Sequence, residues 1–497
     1  MNGDGQAMQT TVIRNADYVI AWDEAAGSHA YLEGADVAFQ GNQFSFVGKG
    51  YSGAADREID GRGMMLMPGL VNIHSHPTSE PGNKGLLEEL GSPRLGQSSL
   101  YEFMPVFRLD PNAARAASMV AMSELLKSGV TTIADLSGAR EGWADDMAST
   151  GLRSVLCPMY RSASWSTSNG HSVEYHWDEK AGKQAMQRAI DLVDAAAKHP
   201  SGRVSGMLGP SQIDTCTADL IRDSYDAAAE RGIAVQLHAA QSVVEFNEIT
   251  RRHGKTPIEW LHSLGVLGPQ MIIGHGIFLN DHPWLHWPQA DDFALLAESG
   301  ASVAHCPTVF SRRGIALHWV HRYMKAGINL GLGTDTFPHN MIDEMRMACL
   351  AARILKGDFT GASTAEVFMA ATVGGATALK KPDIGRVAVG MKADFSLVDL
   401  SHPYMQPLRE PLRSLIYSTS DRAVRDVYVD GQQVVSDGKV LTIDIEAAIE
   451  TLREAQARTI ATVSERDWAK RQVEDMSPMV FPVKSVLSAP KPVIKSA

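Results

Sequence analysis

The stretch MPGLVNIHSH, residues 67–76, decides the fold. Pro68-Gly69 ends one segment and starts another. Leu70 to Ile73 is a short apolar run, the length of a buried strand, and its flanking glycine and proline punctuate it. It closes in His74-Ser75-His76. In an extended segment residues i and i+2 project to the same side, so both imidazoles can reach one ion. In a barrel of parallel strands the chemistry sits at the carboxyl ends of strands, which is where this pair lies.

Outward from that strand, short apolar runs continue at 131–136, 154–159, 204–208, 234–238, 271–275, 302–306 and 329–334. Amphipathic helical patterns separate most of them, as at 113–127, 183–198, 218–231 and 316–326. Strict alternation of strand and helix predicts an α/β fold, a (β/α)8 TIM barrel over residues 68–382. An open doubly wound sheet is the alternative, and the lack of a Gly-rich phosphate loop after the first strand counts against it. Three further runs end in a metal-capable residue: the fifth in His238, the sixth in His275, the eighth in Asp335. One His-x-His is a weak signal. Four strands that each deliver such a side chain to the same end are a strong one. The set suits a borderline divalent ion, Zn2+ first, with Fe2+, Mn2+ or Co2+ also acceptable.

Both flanks of the barrel read as β structure. Residues 11–22 are rich in β-branched and aromatic side chains, and 35–47 alternate around Gly41-Asn42 as a hairpin does. Strand character returns at 393–400 and at 423–435, the latter turning at Asp430-Gly431. Residues 1–67 and 383–442 are therefore expected to form one small composite β-sandwich domain built from both chain ends. Residues 443–497 form a C-terminal helix, 445–472, and a Pro- and Lys-containing tail that is disordered or lies as an arm on a neighbour. The first nine residues read as a disordered leader.

The formal net charge of −11 argues against nucleic acid and anionic membrane as partners and for a small-molecule substrate. Four cysteines at irregular spacing form neither a disulfide framework nor a zinc ribbon. With no secretory signal and no long apolar run, a soluble, cytoplasmic protein is expected.

The motifs together resemble the amidohydrolase superfamily, in the branch of triazine hydrolases and cytosine- or guanine-deaminase-like enzymes. Residues 67–76 resemble its first-strand signature. Gln236-Leu-His-Ala-Ala240, Ile273-Gly-His-Gly276 and Gly331-Leu-Gly-Thr-Asp-Thr336 resemble its fifth, sixth and eighth strands, and 370–379 with 384–394 its return into the β domain. The resemblance covers roughly residues 10 to 470. It implies that His74, His76, His238 and Asp335 bind one metal per subunit, with His275 beside it. Asp335 would manage a proton of the attacking water and His275 would support developing charge. Residues 203–211 contain no lysine, so the carboxylated-lysine bridge of dinuclear relatives is not expected. Relatives are commonly dimers or larger, and a homo-oligomer is expected.

Departures from the family pattern narrow the reading. Deaminases and dechlorinases of the family carry Glu three residues after the fifth-strand His; here Gln241 stands there. A neutral amide orients a substrate but exchanges no proton at pH 7. The run 305–314 lacks the usual Ser-Asn, and 77–85 replace the usual Arg-Gly and paired acids. Among known members the chain then resembles phenylurea hydrolases and molinate hydrolase. Hydrolysis of an amide, urea or carbamate-like C–N bond in an aryl or xenobiotic molecule is the first expectation. Deamination or dechlorination of an N-heterocycle, such as an s-triazine or pyrimidine, is the alternative, with His275, His305 or Glu80 in place of the missing acid. A metal-free scaffold is the third. Gln241, His305, His339 and Glu80 are the candidate substrate contacts. His171, His176, Lys84 and the aromatics Trp165, Tyr175, Trp177, Trp284 and Trp287 are secondary ones, each equally an ordinary surface or packing residue.

Overall fold

A computed structural model describes residues 9–484 apart from 286 and 319, so the expected leader, but for residue 9, and the last part of the expected tail, 485–497, lie outside the described residues. Parallel strands form two sheets. In the first, β6 (Leu70–Ser75), β7 (Val130–Ser137), β8 (Arg153–Tyr160) and β11 (Val204–Gly206) lie in the order β11-β8-β7-β6, with the two-residue β12 (Gly209–Pro210) also on β8. In the second, β13 (Val235–Ala239), β14 (Met271–His275), β15 (Ser302–His305) and β16 (Asn329–Leu332) follow in sequence order. Single parallel bridges join the two sheets on both sides: Ser75 with Asp335, and Leu208 with Val235 and Gln212 with His238. All eight expected strands are present. The strands are buried on both faces, β7 at each of its eight residues, which is why they read as unbroken apolar runs rather than alternating ones.

The helices cover these sheets and begin where the sequence supplies a cap. Asp178 accepts from the Ala181 amide, Thr217 from Leu220 and Ser242 from Glu245, and Thr256 with Glu259 forms a capping box. Two expected helices are shorter than their patterns. The stretch 316–326 is helical only over Val320–Lys325. The helix expected over 445–472 runs Ile445–Ala461, resumes for one turn at Val463–Arg466 and ends there. There the buried Asp467 carboxylate accepts from the Ala469 and Arg471 amides, which pulls the chain into a turn that a continuing helix forbids.

Strands from both chain ends share one nine-stranded sheet. It runs β20 (Lys439–Val440), β19 (Gln432–Ser436), β18 (Val424–Val429), β17 (Phe395–Asp399), β5 (Met64–Pro68), β1 (Thr10–Asp23), β2 (Ser28–Gln40), β3 (Gln43–Gly48), with β4 (Arg57–Asp60) beside β1. In place of two separate facing sheets, this one sheet curls on itself: Phe39 and Phe44 from one end pack on Phe395 from the other, at 5.6 and 5.7 Å between ring centroids. The remaining strands, β9 (Ala163–Ser166) and β10 (Glu174–Trp177), make a small hairpin. Buried Arg153 of β8 ties the curled sheet to the parallel ones through Asp394 and Asp430, each at 2.9 Å. No helix among the described residues is long and apolar enough to cross a membrane.

Candidate metal centre and its cavity

The first parallel strand delivers His74 and His76, β13 delivers His238, β14 delivers His275, and the turn after β16 delivers Asp335. The ring nitrogens of His74, His76 and His238 lie within 4.8 Å of one another, as do the donor atoms of His74, His275 and Asp335. Asp335 Oδ1 is 3.3 Å from His76 Nε2 and 3.6 Å from His74 Nε2; Oδ2 is 3.7 Å from His275 Nε2. Asp335 takes a left-handed backbone, φ 58°, fixed from both sides: its amide donates to His74 O and its carbonyl accepts from the His76 amide. The close pass of this turn needs Gly333, where a Cβ would sit 2.6 Å from His74 Cβ.

The residues fit a divalent ion by a test independent of distance. A histidine can ligate through Nε2 only if Nδ1 carries the proton. His76 Nδ1 donates to Leu136 O at 2.8 Å and His238 Nδ1 to Ser211 O at 2.6 Å. His74 Nδ1 meets Gln236 Oε1, and that amide is turned this way because its Nε2 donates to Ile73 O at 2.9 Å. All three Nε2 lone pairs therefore converge, and buried His74 Nε2 has no hydrogen-bond partner. Burial holds His76, His238 and His275 below the ordinary imidazole range, so the rings are neutral. Burial alone would raise Asp335, but the His74 ring beside it holds the carboxyl well below the usual range, so it is ionised. Three imidazoles and a carboxylate are a donor set for zinc.

His76, His238, His275 and Asp335 floor a cavity of about 540 Å³, with His74 buried beneath them. Gln241 and Glu80 line it with them. Glu245 receives the Ala240 and Gln241 amides and so fixes the start of the Gln241 turn, while Gln241 Nε2 reaches Gln212 Oε1 at 3.4 Å. Glu80 is 1% exposed, its Oε1 lacks a hydrogen-bond partner, and burial pushes its carboxyl up to about 7. Of the other expected contacts, Trp165 lines the cavity. His305 and His339 lie outside its lining: His305 borders a small adjoining pocket with His275, and buried His339 faces Glu124 at 3.5 Å. Lys84 is bound to Glu124. His171 folds onto Asn169 O, His176 bonds Ser166, Tyr175 bonds Asp214, and Arg252 stacks on Trp177. Sequence reasoning missed Gln236, and it missed the arginines of the cavity wall, which sit in loops with no periodic signal.

Comparison with known proteins follows the same lines. The model of the amidohydrolase family matches residues 65–434. The chain is similar to a 5'-deoxyadenosine deaminase of Methanosarcina mazei, 27% identical over 92% of this chain and 100% of that one. It is also similar to a 5-methylthioadenosine/S-adenosylhomocysteine deaminase of Thermococcus onnurineus, 29% identical over 81% of this chain and 90% of that one. Among solved structures, a triazine hydrolase from Arthrobacter aurescens superposes with a TM-score of 0.75, at 23% identity over 90% of this chain and 99% of that one. A Glu-to-Gln mutant of atrazine chlorohydrolase from the same organism, complexed with zinc and atraton, gives 0.76 at 22% identity, over 90% and 100%.

Proposed function

The chain belongs to the amidohydrolase family, hydrolases of carbon–nitrogen bonds, and from that premise we propose that it is an aminohydrolase that removes an exocyclic amino group from an aromatic N-heterocycle as ammonia. The similarity to deaminases along nearly the whole chain carries this reading. It favours the alternative drawn from the sequence over cleavage of an amide, urea or carbamate. The two parallel sheets, bridged at both seams, are read as one closed barrel, and the curled sheet as its composite β domain.

His74, His76, His238 and Asp335 would hold one zinc ion. Bound zinc supplies Lewis acidity and brings the pKa of water from 15.7 to about 7. The chain's own groups do the rest. Asp335 is ionised and takes a proton from the water that adds to the ring carbon. His275 hydrogen-bonds the oxygen arriving at that carbon. Gln241 holds the ring without exchanging a proton. The proton that the departing ammonia needs comes from Glu80, a carboxyl of the cavity that is buried and balanced near neutral pH. The balance is hydrolytic: water adds, the C–N bond breaks, and ammonia leaves.

Gln241 favours one second reading, C–N cleavage of an aryl urea or thiocarbamate. A single panel separates the two. Purified zinc protein is offered 5'-deoxyadenosine, 5-methylthioadenosine and aminopyrimidines beside aryl ureas, thiocarbamates and amides. Ammonia from the heterocycles is the expected result. Release of an amine from the ureas or thiocarbamates, with no ammonia from any heterocycle, overturns the aminohydrolase.

A further inference from the structure

The cavity wall carries a charge pattern that the hydrolytic step does not use. In a chain of net charge −11, five arginines line this one cavity: Arg108, Arg140, Arg161, Arg312 and Arg313. Three of them have partners. Arg140 faces Asp146 at 3.6 Å, Arg312 donates to Thr336 and Phe337, and Arg313 to Leu90 O and Val309 O. Arg108 and Arg161 differ. Among the described residues neither has a hydrogen bond or an ion pair, and they lie close enough that Arg108 adds to burial in lowering the pKa of Arg161. Of the acids nearby, Asp110 pairs with Arg458 at 3.0 Å, while Asp214 accepts from Tyr175 at 2.8 Å and offsets part of the Arg161 charge without pairing with it. Arg161 also lies over the Trp165 ring, 5.9 Å from its centroid, so a flat apolar surface adjoins the charge. Two guanidinium groups on one wall, neither with an ion-pair partner, repel each other, a cost that an anion between them lowers.

We propose that the substrate carries a carboxylate, held by Arg161 and Arg108 against Trp165, while its heterocycle reaches the histidine–aspartate floor of the cavity. This rests on the reading of that cavity as the substrate site. A carboxylate is the chemistry these groups fit: planar, singly charged and matched to the guanidinium fork. An aryl carboxylate would then bind better than its neutral amide of the same shape.

Calorimetric titration of the zinc protein with benzoate and with benzamide tests this without turnover, so failure of the aminohydrolase reading leaves the result intact. Benzoate is expected to bind at least about tenfold more tightly. The preference should shrink below about threefold in Arg161→Gln, at unchanged zinc content, and return in part in Arg161→Lys, with Arg108→Gln lowering it independently. Equal affinities in the wild type, or no benzoate binding, overturn the proposal. A preference that survives both glutamine variants and vanishes only on zinc removal also overturns it, since the carboxylate would then be on the metal. Neither Arg108 nor Arg161 makes a hydrogen bond or ion pair among the described residues that the glutamine variants would remove, so neither variant is expected to unfold the protein.

Discussion

Gln236 settles which nitrogen of His74 is available. Its amide is pinned by Ile73 O, so its oxygen faces His74 Nδ1 and holds the proton there. Groups that orient a ligating histidine are worth about 10–100-fold in metal affinity when lost. Gln236→Leu should therefore weaken zinc binding by about that factor, measured by competition with a chromogenic chelator. An affinity equal to wild type would mean that Gln236 only fills space. Glu80 is tested by its effect on rate rather than on metal. Its single polar role in the proposed reaction is the proton for the leaving group, a contribution of about 10²–10⁴-fold. Glu80→Gln should lower kcat by at least about 100-fold on whichever heterocycle is turned over, with zinc per chain unchanged. A variant that keeps wild-type kcat removes Glu80 from the mechanism.

At the scale of elements, a buried acid on the helix Met341–Lys356 links fold to pH. Glu344 accepts from the Thr308 amide at 3.2 Å, and burial pushes its carboxyl up to about 8. An unfolded glutamate titrates near about 4.3. The folded state therefore keeps a proton that the unfolded chain has released, and stability falls as pH rises between those values. Glu344→Gln keeps the acceptor and removes the titration. Its urea midpoint should decline less than wild type from pH 5 to 8, a relative gain of at least about 1 kcal/mol; parallel profiles would show an ordinary carboxyl. Elements of this kind were legible to different degrees. The strands 70–75 to 329–332 were readable because burial on both faces leaves unbroken apolar runs. The His74, His76, His238, His275 and Asp335 cluster followed from those strand ends alone. Gln236 was hidden because its partner is 162 positions away, and Arg108 and Arg161 because loop packing leaves no period in the sequence. The helix past Arg466 was overread, since the capture of Asp467 by amides that follow it has no local signature.

At the scale of the whole molecule, the ligand set spans a weak seam. His74 and His76 belong to the first parallel sheet, His238 to the second, and Asp335 to the turn beyond the last strand of that second sheet. Where β6 meets the Asp335 turn, one bridge, Ser75 with Asp335, joins the sheets. An ion held by these four residues would therefore staple the two sheets together as well as serve chemistry. An ion that binds only the folded state adds about 2.7 kcal/mol at a hundredfold excess over its Kd. Removing zinc should lower Tm by several degrees. In hydrogen exchange, Leu70–Ser75 and residues 329–336 should open earlier, while Phe395–Asp399 in the curled sheet, tied through Arg153 to Asp394, changes little. His76→Ala should show the same lowered Tm and no further response to a chelator. The contrast between the seam and the curled sheet decides the matter. If zinc removal loosened both equally, the ion would be stabilising the fold from one place like any ligand; if it loosened neither, the cluster would hold no structural metal.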